Sequence, residues 1–97
     1  MSQFTATLNV VYRSLTAEPE SKFESTQPTF EVKGGTVNVY VSNNDTNTPP
    51  ANAAAMTKTS NSPAAEDIHI VGGAINWILF ESASGSPVVK TVNLIKA

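Results

Sequence analysis

Residues 69–95 read HIVGGAINWILFESASGSPVVKTVNLI. This is the most hydrophobic run of the chain, and its parsing decides the fold. A membrane-spanning helix needs about 20 mostly apolar residues. The apolar core of the run, from Ile68 to Phe80, has thirteen residues and is interrupted by His69, Asn76 and Gly72-Gly73. It is too short, too polar and broken at its centre, so a membrane span is excluded. A period of two resolves it. Ile68 and Ile70 share one face. Ile75, Trp77 and Leu79 share another, with Asn76, Ile78 and Phe80 opposite, and Val88, Val92 and Leu94 share a third, on which Lys90 is the exception. Each segment is short, rich in β-branched or aromatic residues and bounded by turn residues. With VGGA and SASGSP as the turns, the spacing predicts a three-stranded antiparallel meander.

The same alternation continues upstream. FTATLNVVY places Phe4, Ala6, Leu8, Val10 and Tyr12 on one face, and TFEVKGGTVNVYVSN reads as a hairpin. Its first arm carries Phe30 and Val32, its turn is Gly34-Gly35, and its second arm carries Val37, Val39 and Val41. Residues 14–28 are polar with two prolines and read as a loop or arm. In the interval NNDTNTPPANAAAMTKTSNSPAAE, Pro49-Pro50 stops a regular ladder, and a short strand is expected around Ala54–Thr59. The expectation is an all-β single domain over residues 1–97, an antiparallel β-sandwich or jelly-roll-like fold of six to seven short strands. Residues 1–27 would form its N-terminal strand and polar arm, and residues 28–97 its body.

Composition agrees. Ser, Thr and Asn number ten, eleven and nine, while only 14% of residues are charged, a strand-and-turn composition. A chain of 97 residues removes only roughly two-thirds of its unfolded surface from water, so partner subunits are a natural way to enlarge the core. It has no cysteine to supply disulfides or thiolate ligands. A net charge of -2 with scattered basic residues gives no footprint for nucleic acid or anionic lipid. The N-terminus lacks a basic region followed by a solid apolar run, so synthesis in a cytoplasm is expected.

Motifs for catalysis are sparse. His69 alternates with Ile68 and Ile70 and reads as a solvent-facing strand histidine, not a general base. No serine lies in a Gly-x-Ser-x-Gly elbow. Glu66 and Asp67 are adjacent and diverge in an extended chain, where they guard a strand edge rather than share a proton. The run SNNDTNT presents oxygen atoms from Asn43, Asn44, Asp45 and Asn47, the ligand type calcium takes, but it has one carboxylate and reads as an Asn-rich turn. Asn44-Asp45-Thr46 also matches a glycosylation acceptor, relevant only in a secretory pathway. Trp77 reads as core. Tyr40, alternating with the valines of VNVYV, reads as an exposed ring. No cofactor, metal or catalytic residue is expected.

The arrangement TFEVKGGTVNVYVSN, a Pro-rich interval, then IHIVGGAINWILFESASG and VVKTVNL resembles small β-sandwich virion proteins of tailed bacteriophages, the capsid decoration and head-fibre-like proteins. The resemblance covers roughly residues 28–95. It implies a non-enzymatic virion structural protein that binds the major capsid protein or other virion proteins and its own copies, as a homo-oligomer without nucleic acid or membrane partners. Tyr12, Tyr40, Ile78 and Phe80 are the candidate interaction surface, with Val11 on the outer side of the first strand. A carbohydrate- or surface-binding module using a Tyr12–Tyr40 pair, and a tail accessory protein, are the alternatives.

Overall fold

The computed structural model describes residues 4–14, 28–45, 47–60, 62–71, 75–92 and 94–96. Among these residues there are seven strands: β1 (Phe4–Ala6), β2 (Tyr12–Ser14), β3 (Thr29–Ser42), β4 (Thr57–Lys58), β5 (Asp67–Ile70), β6 (Trp77–Thr91) and β7 (Leu94–Lys96). All pairings are antiparallel. The all-β class therefore holds. The strands belong to one open sheet rather than to two separate sheets, and no described helix is long and apolar enough to cross a membrane.

Two long strands replace the expected hairpins. β3 runs unbroken through Gly34-Gly35, and β6 runs unbroken through SASGSP. They pair from Phe30 opposite Thr91 to Ser42 opposite Trp77. The meander is corrected accordingly: β5 and β6 are not paired with each other but flank β3 on opposite sides. Gly72 and Gly73 lie outside the described residues, as do residues 15–27, which hold most of the polar stretch.

A straight β3 of 14 residues would exceed the longest dimension of the molecule, 36 Å, since a strand rises about 3.3 Å per residue. It must therefore bend. The inward-facing buried positions are even-numbered before the glycines (Phe30, Val32) and odd-numbered after them (Val37, Val39). β6 switches in the same way, from Ile78 and Phe80 to Val89 and Thr91. Such a change of parity requires extra residues in the ladder, and the register slips between Lys33 and Gly35 and again between Thr36 and Val37. Glycine is needed here because the two backbones nearly touch. A Cβ on Gly35 would collide with the Ser84 carbonyl oxygen, and Gly85, at φ +69°, would carry one 2.8 Å from the Gly34 carbonyl oxygen.

The bend divides the sheet into two halves. One contains β5, the first part of β3, the last part of β6 and β1; the other contains β4, the rest of β3, the start of β6, β2 and β7. Their inner faces meet. Phe30 of the first half and Phe80 of the second lie edge to face with ring centroids 4.9 Å apart. Phe4 on β1 and Tyr12 on β2 are 5.6 Å apart, and the Tyr12 phenol oxygen accepts the Thr7 N–H at 2.7 Å. The expected apolar face of residues 4–12 is thus retained, but Asn9, at φ +65°, breaks the strand so that it serves both halves.

The outer edge of β3 is covered piecewise by the segment from Thr57 to Ile70. A 3-10 turn at Ala53–Ala55 and the two-residue β4 take the place of the strand expected around Ala54–Thr59. Beyond β4, the Ser62 hydroxyl substitutes for a strand backbone: it accepts the Val39 N–H at 2.6 Å and lies 3.1 Å from the Val39 carbonyl as donor. Ala64 then bridges Val37 before β5 begins.

Candidate interaction surface

Three of the residues expected at a surface lie in the core. Tyr12, Ile78 and Phe80 are each no more than 2% exposed. The alternation along β6 is as read, with Ile78 and Phe80 on one face and Trp77 and Leu79 on the other, but both faces are buried. Ile78 and Phe80 take the inner face because they oppose Val41 and Val39 across β3, and Val39 is fully enclosed. Tyr12 belongs with them through its pairing with Ile78. An interaction surface built from these three side chains is corrected to a packing role, and Val11 is half-buried.

The outer face of the second half is covered near Trp77 by the chain that follows β3. The indole N–H donates to the Asn44 carbonyl at 3.1 Å and the Asp45 carbonyl at 3.2 Å. The Asn76 side-chain amide donates to the Asn43 and Asn44 carbonyls, and its backbone N–H donates to Asn43 Oδ1. From the oxygen-rich run considered for calcium, Asn43 Oδ1 and the carbonyl oxygens of Asn43, Asn44 and Asp45 are thus engaged in a latch on Asn76 and Trp77. Among the described residues, no group of three or more His, Asp or Glu side chains comes together.

Tyr40 is half-buried on the same outer face. Its phenol donates to Glu81 Oε1 at 3.2 Å, and Asn38 Nδ2 donates to the same oxygen at 3.1 Å. Partial burial, then the hydrogen bond to Glu81, then the negative charge of that carboxylate raise the Tyr40 phenol above its ordinary value. Farther along, the Thr36 and Ser84 hydroxyls pair at 2.7 Å. Polar groups on this face satisfy one another across β3 and β6.

The outer face of the first half is different. Ile68, Ile70 and Val88 are the large hydrophobic side chains that stand exposed among the described residues, at 67%, 53% and 45%. All three project from this one face. The registers place Ile68, Glu31, Lys90 and Thr5 in one row across β5, β3, β6 and β1. Ile70 opposes Thr29 in the row on one side, and Val88 opposes Lys33 in the row on the other. Ile68, Glu31, Lys90 and Val92 bound a shallow groove of about 180 Å³.

β5 alternates as its sequence predicts, with His69 opposite Ile68 and Ile70, but the histidine is half-buried on the inner side rather than facing solvent. His69 turns toward Phe30, stacking at 5.4 Å between centroids, and its Nε2 lies 2.7 Å from the Ala65 carbonyl oxygen. The isoleucines face out as a consequence. A single exposed apolar residue is unremarked on any surface, whereas three on one face of a small sheet make that face the candidate for interaction. The signal that could have found it is the Ile-His-Ile alternation on a short strand that opens with Asp67. No protein-family model, curated protein or solved structure matches this chain.

Proposed function

We propose that this chain is a non-catalytic structural subunit of a phage particle, a capsid decoration or head accessory protein, whose assembly with its own copies or with the particle uses the outer face of Ile68, Ile70 and Val88. The observation that carries the reading is the gathering of these exposed aliphatic side chains on one half of a small sheet. Burying them in an assembly adds apolar contact that a chain of this size lacks alone. The virion setting rests on the resemblance of the strand patterns in residues 28–95. Within that resemblance, the V-x-V-x-V strand and the Trp-Ile strand stand as strands, whereas Gly34-Gly35 is a bend rather than a hairpin turn.

The candidate site favours assembly over saccharide binding. A stacking platform of two tyrosines is not formed, since Tyr12 is in the core and Tyr40 is tied to Glu81. The test is mass spectrometry of density-purified particles from a culture that makes this chain. The expected result is its recovery at high, fixed stoichiometry to the major capsid protein. Its absence from particles while abundant in the cells overturns the reading.

A further inference from the structure

We propose that the aliphatic face is the contact between two copies of this chain, related by a two-fold axis that lies along the strands between β3 and β6. The inference rests on the reading of the chain as an assembly subunit and names the occupant of its surface. The charges on the face argue for a second copy. Glu31 and Lys90 sit side by side in the central row, Lys33 flanks them opposite Val88, and Glu66 lies at the nearby edge, where its carboxylate accepts the Gly34 N–H. Among the described residues two acids and two bases cancel, so they give the face no net attraction for a polyanion or a polycation. A surface of mixed sign with an aliphatic component is complementary to itself.

The same charges select the symmetry. In a face-to-face pair the two-fold axis lies in the plane of the interface. An axis across the strands, through the central row, would set Glu31 over the partner's Glu31 and Lys90 over the partner's Lys90, and like charges in contact oppose association. An axis along the strands, between β3 and β6, carries each strand onto the other. Glu31 then faces the partner's Lys90, and Lys90 faces the partner's Glu31. In the adjacent row Val88 meets the methylene stem of the partner's Lys33, a stem that covers apolar surface while its ammonium stays in water. The contact becomes a sheet-on-sheet packing of aligned type, in which the two Glu31–Lys90 pairs are flanked at each end of the row by Ile68 lying over the partner's Thr5. Four strands are about 15 Å wide from first to last. The interface is accordingly at the small end of specific contacts, with micromolar rather than nanomolar affinity expected.

Sedimentation velocity of the full chain, from micromolar to millimolar concentration, tests this with circular dichroism as the control for folding. The expected result is a concentration-dependent dimer. Ile68→Asp raises its dissociation constant by at least about tenfold. Glu31→Lys weakens it as well, and the swap Glu31→Lys with Lys90→Glu restores it. Val88→Asp, on a different strand, repeats the test should Ile68→Asp lose its β-sheet signal. A monomer at every concentration overturns the proposal, as does a dimer indifferent to Ile68→Asp and Val88→Asp. Failure of the charge swap to restore the Glu31→Lys loss overturns the axis. Co-sedimentation with purified particles separates this from the wider reading. A chain that binds particles through Ile68 but never dimerises defeats the inference alone, and a dimer that never joins particles defeats only the virion assignment.

Discussion

Phe30 and Phe80 meet edge to face at 4.9 Å, although Phe80 is paired with Val39, nine positions along β3 from Phe30. On a straight strand those positions would be about 30 Å apart. Their contact is therefore the closure of the folded sheet, and it belongs to the tertiary structure rather than to the ladder. Phe80→Ala is expected to destabilise the protein by about 3–5 kcal/mol, the range for large-to-small changes at enclosed aromatic sites. Urea unfolding checks it. A loss below about 1 kcal/mol would mean that the two halves do not depend on this contact.

The glycines at the bend make a second case. Gly35→Ala places a methyl group against the Ser84 carbonyl, and Gly85→Ala forces a side chain into a positive-φ position facing Gly34. Backbone crowds the added methyl group in both cases, so no side chain can move aside. Each substitution is expected to destabilise by at least about 1 kcal/mol, reversing the usual small gain from replacing glycine by alanine. The midpoint of thermal or urea unfolding reads the sign directly. An unchanged or raised midpoint would show that β3 and β6 can part locally without loss.

These glycines also mark the limit of what the sequence discloses. Alternation along Val37, Val39, Val41 and along Ile78, Phe80 is local chemistry and legible. So is the apolar face of residues 4–12, which survives a break at Asn9. A Gly-Gly pair between two alternating arms is consistent with a tight turn or with a bulge in a continuous strand, because both interrupt the alternation. What decides for the bulge is Gly85, opposite Gly34-Gly35 on another strand, and sequence distance conceals that meeting. The burial of Tyr12, Ile78 and Phe80 was missed for the same reason. β6 is apolar on both faces, and only the pairing with β3 says which face closes the core. His69 points inward because Phe30 offers it a ring, and that turns Ile68 and Ile70 outward.

Tyr40 gives a pH-dependent prediction. Its phenol is held above its ordinary value by partial burial and by Glu81. A group with a raised folded pKa favours folding while protonated. Its contribution is present below the unfolded tyrosine value, about 10, and is lost as the pH rises through the folded value. Glu81→Gln keeps a hydrogen-bond acceptor but removes the negative charge, so Tyr40 should ionise at lower pH in that variant. Carbon-13 titration of the Tyr40 Cζ resonance measures both proteins. Coincident curves would show that Glu81 has no influence on the phenol.

The latch on the loop after β3 yields the last prediction. Trp77 is buried, and its N–H is shared between the Asn44 and Asp45 carbonyls, while Asn76 holds Asn43 and Asn44 from the neighbouring position. Trp77→Phe removes the donor and part of the ring, leaving those two carbonyls without this partner. Global stability should fall by about 1–3 kcal/mol, the range for a buried hydrogen bond lost together with some packing. The local effect should exceed the global one, because the described residues between Asn43 and Met56 belong to no strand and hold a 3-10 turn at Ala53–Ala55 and a turn closed by the Thr48 N–H on the Asp45 carbonyl. Limited proteolysis under native conditions reads it: cleavage within this segment should accelerate in Trp77→Phe and again in Asn76→Ala, while β3 and β6 stay protected. Equal acceleration throughout the chain would show that Trp77 supports the whole sheet and that the latch has no separate role.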